Sequence, residues 1–187
     1  MANGAFPEFT TERLRFRQLK KDDVYDVFKL FSDSETMMFD GGMTMGNIEE
    51  AMAFIQTFSS IDQPAIRWAI TSKDTNEFFG TAGFHHIDYF SRKAEIGGEV
   101  LKSYWGKGIG KEGIQALLTV GFYPLGLNRI EALISPDNKK AQRLVKVVPF
   151  KKEGYLRQYQ RWGDKYVDLE IYSLLKSEWI EYKKHNR

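Results

Sequence analysis

Apolar positions repeat along the chain with two periods, close to two in some stretches and close to 3.6 in others. Phe9 to Leu19 contains the alternating run Leu14-Arg15-Phe16-Arg17, the pattern of a half-buried strand. Asp22-Asp23 precedes Val24, Val27, Phe28 and Phe31, which recur at helical spacing. Met37 to Gly46 reads as loop, broken by Asp40-Gly41-Gly42. Asn47 and Glu50 form a capping-box pattern, opening a helix through Phe58 with Ala51, Phe54, Ile55 and Phe58 on one face. Ile66, Trp68 and Ile70 alternate as a strand, Lys73 to Asn76 reads as a hairpin turn, and Phe78 to Ile87 is the next strand. Asp88 to Lys93 connects to a strand over Glu95 to Leu101. Ile114, Leu117, Leu118 and Gly121 fall at i, i+3, i+4 and i+7 of a following helix. Asn128 to Ile134 is a strand, and Pro136-Asp137-Asn138 starts a helix with Ala141, Leu144, Val145 and Val148 on one face. Phe150 to Arg161 and Tyr166 to Leu175 make a hairpin around Trp162-Gly163-Asp164, and the charged tail from Ser177 is a short helix. This order predicts an α/β domain with a mixed sheet, one domain over residues 1–187.

Between the central strand and the central helix lies Lys102-Ser103-Tyr104-Trp105-Gly106-Lys107-Gly108-Ile109-Gly110-Lys111. The first N–H groups of a helix lack internal partners and favour an anion. Gly106, Gly108 and Gly110 leave those groups uncovered, and Lys107 and Lys111 add positive charge, so the turn reads as a phosphate site. Gly108 to Gly113 matches G-x-G-x-x-G, but Lys102 to Lys107 separate strand from glycine, and Glu131 opens the next strand rather than facing a ribose. A Walker loop is excluded, since no Gly-Lys-Ser/Thr follows four spacer residues. Gly97-Gly98 inside the central strand marks a bulge or the close approach of another backbone or a ligand. A splayed strand feeding a pyrophosphate turn suits coenzyme A, whose pantetheine amides can pair like an added strand.

Composition narrows the chemistry. Hydrophobic content is 42% and net charge +2, with basic clusters only at Lys139-Lys140 and Lys151-Lys152, so no general nucleic-acid surface is expected. No signal peptide or membrane-length apolar run is seen, and a cytoplasmic location is the expectation. The absence of cysteine excludes disulfides, a thiol nucleophile and thiolate metal sites. The histidines are His85, His86 and His185; the adjacent pair should lie on opposite strand faces, and no metal site is expected.

Glu95-Ile96-Gly97 and Tyr104-Trp105-Gly106-Lys107-Gly108 resemble the GNAT N-acetyltransferases. Tryptophan at the head of the turn, with Thr11 to Leu14 and Asp22-Asp23, is similar to the RimJ/RimL branch, the ribosomal-protein N-terminal acetyltransferases. Asn128 to Ala132, Pro136 to Asn138 and Glu153 to Arg157 extend the resemblance over nearly the whole chain. It implies a GNAT-like mixed, mostly antiparallel twisted sheet flanked by helices, with a bulged central strand. It implies acetyl-CoA as cosubstrate and a primary amine as acceptor, a protein N-terminus first and a small molecule second. A homodimer is compatible with it. On this resemblance the coenzyme contacts are Val100, Leu101, Trp105, Gly106, Lys107, Gly108, Ile109, Gly110, Lys111 and Asn138, with the Val100 N–H as oxyanion donor. Asn138 serves equally well as a helix N-cap.

Direct transfer from a thioester to an amine needs a base, an oxyanion donor and a route for the thiolate, but no covalent enzyme intermediate. Glu95 and Glu99 alternate with Gly97 on one strand face and are the candidate catalytic bases, each expected to be pushed toward neutral pKa by a closed cleft. Phe39, Trp68, Tyr159 and Asp168 are the candidate acceptor contacts, drawn from the Met37–Gly46 loop, the strand at Arg67-Trp68 and the final hairpin. Three positions depart from the family pattern. Ala141 replaces a serine near the coenzyme sulfur, leaving water, Tyr155 or no group to protonate the thiolate; Gly98 replaces a tyrosine, and Pro149 a glycine. These departures keep a non-catalytic acyl-CoA-binding module as the alternative.

Overall fold

The computed structural model describes residues 6–41, 43–59 and 64–186. Eight strands form one sheet in the order β1-β2-β3-β4-β5-β6-β8-β7. They are β1 (Phe9–Thr10), β2 (Leu14–Gln18), β3 (Ile66–Ser72), β4 (Phe78–Asp88), β5 (Lys93–Val100), β6 (Arg129–Ile134), β7 (Lys151–Trp162) and β8 (Lys165–Leu175). The helices are α1 (Val24–Ser32), α2 (Ser34–Met37), α3 (Ile48–Thr57), α4 (Ile109–Phe122), α5 (Lys139–Val145) and α6 (Lys176–His185). Every pairing is antiparallel except β5 with β6. No helix among the described residues is long and apolar enough to cross a membrane. Gly42, part of the expected loop break, lies outside the described residues.

The period-two pattern sorts side chains onto two cores. Leu14, Phe16, Trp68, Ile70, Ala82 and Phe84 face α4 and the buried Trp179 of α6. Ala69, Phe78 and Leu101 face α1 and α3, whose Val27, Leu30, Phe31, Ala51 and Ile55 close the opposite side. The cap of α3 forms half of the predicted box: Asn47 Oδ1 accepts from Glu50 N–H at 2.9 Å, but the Glu50 carboxylate takes the Gly46 N–H at 3.0 Å rather than that of Asn47. Asp23 does more than open a helix. It is buried, pairs with Arg17 through two bonds of 2.7 Å and accepts from the Lys20 N–H.

Two local features set up the cleft. The parallel contact of β5 with β6 covers only Lys93, Ala94 and Glu95, after which the strands part. The β4–β5 ladder, by contrast, runs unbroken from His85↔Glu95 to Gly80↔Val100. The bulge expected at Gly97-Gly98 is therefore not there. Gly98 is required by close approach: a Cβ on it would stand 2.5 Å from the Ala82 Cβ. The register shift falls instead between His85 and Asp88 of β4, where His86 takes a φ of 50°.

Candidate active site

Ladder parity decides which way the β5 amides point. Leu101 N–H donates to the Phe79 carbonyl at 2.8 Å, so Leu101 and Phe79 are a hydrogen-bonded pair. Alternation then turns the N–H and C=O of Val100, Gly98 and Ile96 away from β4, toward the side where β6 has diverged. The Val100 carbonyl is taken by the Trp105 indole N–H at 2.7 Å, while its N–H faces the gap. Leu101 differs from its expected role: its amide is spent in the ladder and its side chain is buried with α1 and α3, leaving no group for a coenzyme.

The gap ends at the N-terminus of α4. Gly108 is the N-cap residue with φ 83°, and Gly106 has φ 75°, conformations that glycine alone adopts freely. The N–H groups of Gly108, Ile109, Gly110 and Lys111 have no acceptor among the described residues, and the first helix bond runs from Glu112 N–H to the Gly108 carbonyl at 3.1 Å. Arg13 was not among the expected site residues. Its guanidinium lies against Gly108, donating to the Lys107 carbonyl at 3.1 Å and to Glu112 at 2.7 Å. Glu112 also accepts from the Thr11 hydroxyl and the Arg13 N–H, locking the β1–β2 turn to α4. Ninety-odd residues separate these partners in the chain, so no local pattern could have announced them. Across the gap, Lys140 of α5 stands over the Trp105 ring at 3.5 Å, and Leu144 lies 3.6 Å from where a Gly110 Cβ would be.

Glu99 sits on the α1–α3 face of β5. Its carboxylate meets the Arg67 guanidinium and accepts from the Thr81 hydroxyl at 3.2 Å, while Thr81 accepts from Arg67 Nε at 2.9 Å. The two charged side chains are only 10% and 12% exposed. Phe31, Phe54 and Phe58 surround the guanidinium at 5.5–5.9 Å from its carbon. Burial pushes the Glu99 carboxyl up, Arg67 pulls it down, and the neighbouring Asp40 pushes it up again; it stands at about 7. Asp40 comes from the loop after α2, beside Phe39, which is partly buried.

Glu95 shares that strand face but not that environment. Burial raises its pKa, yet hydrogen bonds from His85 and His86 outweigh burial and hold it below the ordinary carboxylate range. The expected push toward neutrality is thus absent at Glu95 and present at Glu99.

Other expected contacts fall elsewhere. Trp68 is wholly buried on the opposite sheet face and donates its indole N–H to the Pro7 carbonyl at 2.5 Å, so it is core rather than pocket wall. Adjacent strand residues alternate faces, and it is Arg67 that meets Glu99. Asn138 caps α5, its Oδ1 accepting from Ala141 N–H at 3.0 Å, and its amide NH₂ has no partner among the described residues. Asp168 is engaged inside the β7–β8 hairpin by Gln158 N–H at 2.6 Å and Tyr155 OH at 2.8 Å. That bond raises the Tyr155 pKa and commits its proton to Asp168. Tyr159 is exposed on β7 at the sheet edge, two strands beyond β6.

A sheet with one parallel pair parting beside a glycine-rich helix start, and a buried near-neutral carboxyl one residue from an outward-facing amide, defines an acyltransferase-type cleft. Residues 13–151 match the acetyltransferase (GNAT) domain family, and the chain belongs to that family. The chain is 39% identical over 173 residues to YoaA of Bacillus subtilis, an uncharacterized N-acetyltransferase, covering 91% of this chain and 98% of YoaA. It is 36% identical to YdaF of the same organism over 100 residues, 54% of this chain and 55% of YdaF. Among solved structures, a GNAT-family acetyltransferase from Bacillus anthracis superposes with TM-score 0.81 at 26% identity, covering 91% of this chain and 99% of that one. A spermidine N-acetyltransferase from Vibrio cholerae, solved with CoA and spermine, has the same TM-score at 21% identity, with 91% and 99% covered. The chain is an acetyl-CoA-dependent N-acetyltransferase.

Proposed function

We propose that the acceptor is a protein N-terminal α-amine, in the manner of the RimJ/RimL branch, and that Glu99 is the general base. One observation carries this reading, the near-neutral Glu99 carboxyl next to the Val100 amide. A base is most effective when its pKa lies near the working pH and near that of the group it deprotonates. An α-amine titrates at about 7.7–8.0, within a unit of Glu99, whereas an alkyl amine such as lysine's is near 10.4. Bound acetyl-CoA supplies the thioester. Gly108 to Lys111 and Arg13 would hold its phosphates, and Val100, Gly98 and Ile96 would pair with its pantetheine arm. Glu99, directly or through one water, removes the ammonium proton so that the nitrogen lone pair can attack. The Val100 N–H stabilises negative charge developing on the carbonyl oxygen, and collapse of that intermediate breaks the C–S bond, the leaving thiolate taking the nitrogen's second proton through water. YdaF carries the name of a candidate ribosomal N-acetyltransferase, which supports this acceptor class.

A second reading has one observation in its favour. Glu99 and Asp40 place two carboxylates at the same point, which suits a polycationic small amine. The Vibrio cholerae neighbour acts on spermidine. Thiol release from acetyl-CoA, measured against peptides with free N-termini, the same peptides N-terminally blocked, and spermidine, separates the two. Turnover with free-N-terminus peptides and none with blocked ones is expected. Turnover with spermidine alone would sink the α-amine reading.

A further inference from the structure

We propose that His85, His86 and Glu95 form a binding site for one divalent transition-metal ion, zinc being the best fit, at the bend of β4. In an unbroken strand the two imidazoles would face opposite sides of the sheet. The register shift between His85 and Asp88 and the positive φ of His86 prevent that. A histidine at φ 50° is uncommon and carries backbone strain. The result is two rings 5.3 Å apart, both addressing one carboxylate.

The donor atoms fit. His86 Nδ1 stands 2.9 Å from one Glu95 oxygen and His85 Nε2 3.3 Å from the other. One ligand atom from each of the three side chains lies within 4.8 Å of the other two. Ligands at about 2.0–2.1 Å from a tetrahedral ion are roughly 3.3–3.4 Å apart, so small shifts bring the three donors onto one centre. Two imidazoles and a carboxylate suit zinc, nickel or copper(II), and not magnesium or calcium, which take oxygen shells. Without metal, each ring turns an N–H toward Glu95. With metal, each ring would present a nitrogen lone pair to the ion in place of its hydrogen bond to Glu95. His86 is 76% exposed at the side chain, giving the ion an entry path and leaving a position for water. Glu95 is 14% exposed and held by its strand. Gly97 keeps room for the His85 ring, since a Cβ there would stand 3.0 Å from its Cε1.

The site is distinct from the proposed base. Glu99 lies four residues along β5, roughly 13 Å away at strand rise. A metal at the bend would clamp β4 to β5 where β6 begins to part from them.

The test is calorimetric titration of the full-length chain, stripped of metal by chelator and dialysis, with zinc chloride alone. Cobalt(II) absorption reports ligand geometry independently. One zinc per chain is expected, with a tetrahedral cobalt spectrum and no response to magnesium. His85→Ala, His86→Ala and Glu95→Gln should each weaken binding by at least about tenfold, the scale on which even outer-shell partners act. His185→Ala should bind as wild type, because among the described residues His185 pairs only with Glu181 on α6. Circular dichroism confirms that each variant is folded. Absence of a one-to-one zinc isotherm, or wild-type zinc affinity in the His85→Ala or His86→Ala variant, overturns the proposal.

Discussion

Trp105 donates its indole N–H to the carbonyl oxygen of Val100 at 2.7 Å. This bond ties the glycine-rich turn to the end of β5, so the helix N-terminus and the outward-facing amide keep a fixed separation. Trp105→Phe removes the donor and keeps most of the ring. A neutral hydrogen bond contributes about 0.5–1.5 kcal/mol net, so coenzyme A affinity should fall roughly two- to tenfold. Calorimetry with coenzyme A checks this; unchanged affinity would mean the turn is positioned without the bond.

Gly108 and Gly110 should behave differently. Gly108 has φ 83° and the Arg13 guanidinium 3.0 Å from any added Cβ, so Gly108→Val should weaken coenzyme A binding severely. Gly110 is the second residue of α4, with its nearest neighbour, Leu144, 3.6 Å from an added Cβ. Gly110→Ala should bind within a few-fold of wild type. Equal losses in both variants would argue against backbone conformation as the cause.

Glu99→Gln should retain coenzyme A affinity and lose about 100-fold or more in turnover. The loss should shrink at high pH, where more of the amine is already neutral. Glu95→Gln, whose carboxyl is held low by His85 and His86, should turn over close to wild type. A slow Glu95→Gln enzyme and a normal Glu99→Gln enzyme would reverse the assignment.

Glu99 also leaves a mark on stability. Its folded pKa of about 7 lies above the 4.5 of the unfolded chain. Between those values the folded state binds a proton that the unfolded state has lost, so stability falls as pH rises through the window. The melting temperature of wild type relative to Glu99→Gln should therefore decline from about pH 5 to pH 7 and level off above it. A flat difference across that range would show that Glu99 does not titrate there.

Ala141 lies in the first turn of α5, its N–H bonded to Asn138. Ala141→Ser adds a hydroxyl where the leaving thiolate is expected. Since a hydrogen bond to a charged group is worth about 1.5–3 kcal/mol, the single-turnover rate at saturating acetyl-CoA should rise about tenfold. No gain would place the proton donor elsewhere, with water ahead of Tyr155, whose proton is held by Asp168.

Element types and order were legible because each depends on local periodicity. Asn47 and Glu50 announced the start of α3, and Leu14 with Phe16 announced β2. The site was legible where backbone carries it, at Gly106 to Lys111, since glycine spacing is itself the geometric signal. It was not legible where two distant segments meet. Nothing near Arg67 states that it will pair with Glu99, nothing near Arg13 states that it will cover Gly108, and Asp40 reaches Glu99 only through the fold. Strict alternation misled at His85-His86, because one slipped residue moves a side chain to the other face. In the tail, the charge of α6 hid Trp179, which is fully buried and stacks on Tyr182.

The three-residue contact between β5 and β6 leaves an edge inside the sheet rather than at its rim. Rim edges invite other chains to pair, and proteins blunt them with charge or short strands. α4 and α5 meet at the end of this interior edge, where Leu144 approaches Gly110 and Lys140 stands over the Trp105 ring bonded to Val100. Gly98, mid-sheet by sequence, should exchange its amide hydrogen like a loop residue in the free protein and like a core residue once coenzyme A fills the seam. Ligand binding thus completes the hydrogen-bonding of the fold itself, and the free enzyme should be the looser of the two along one line through its centre.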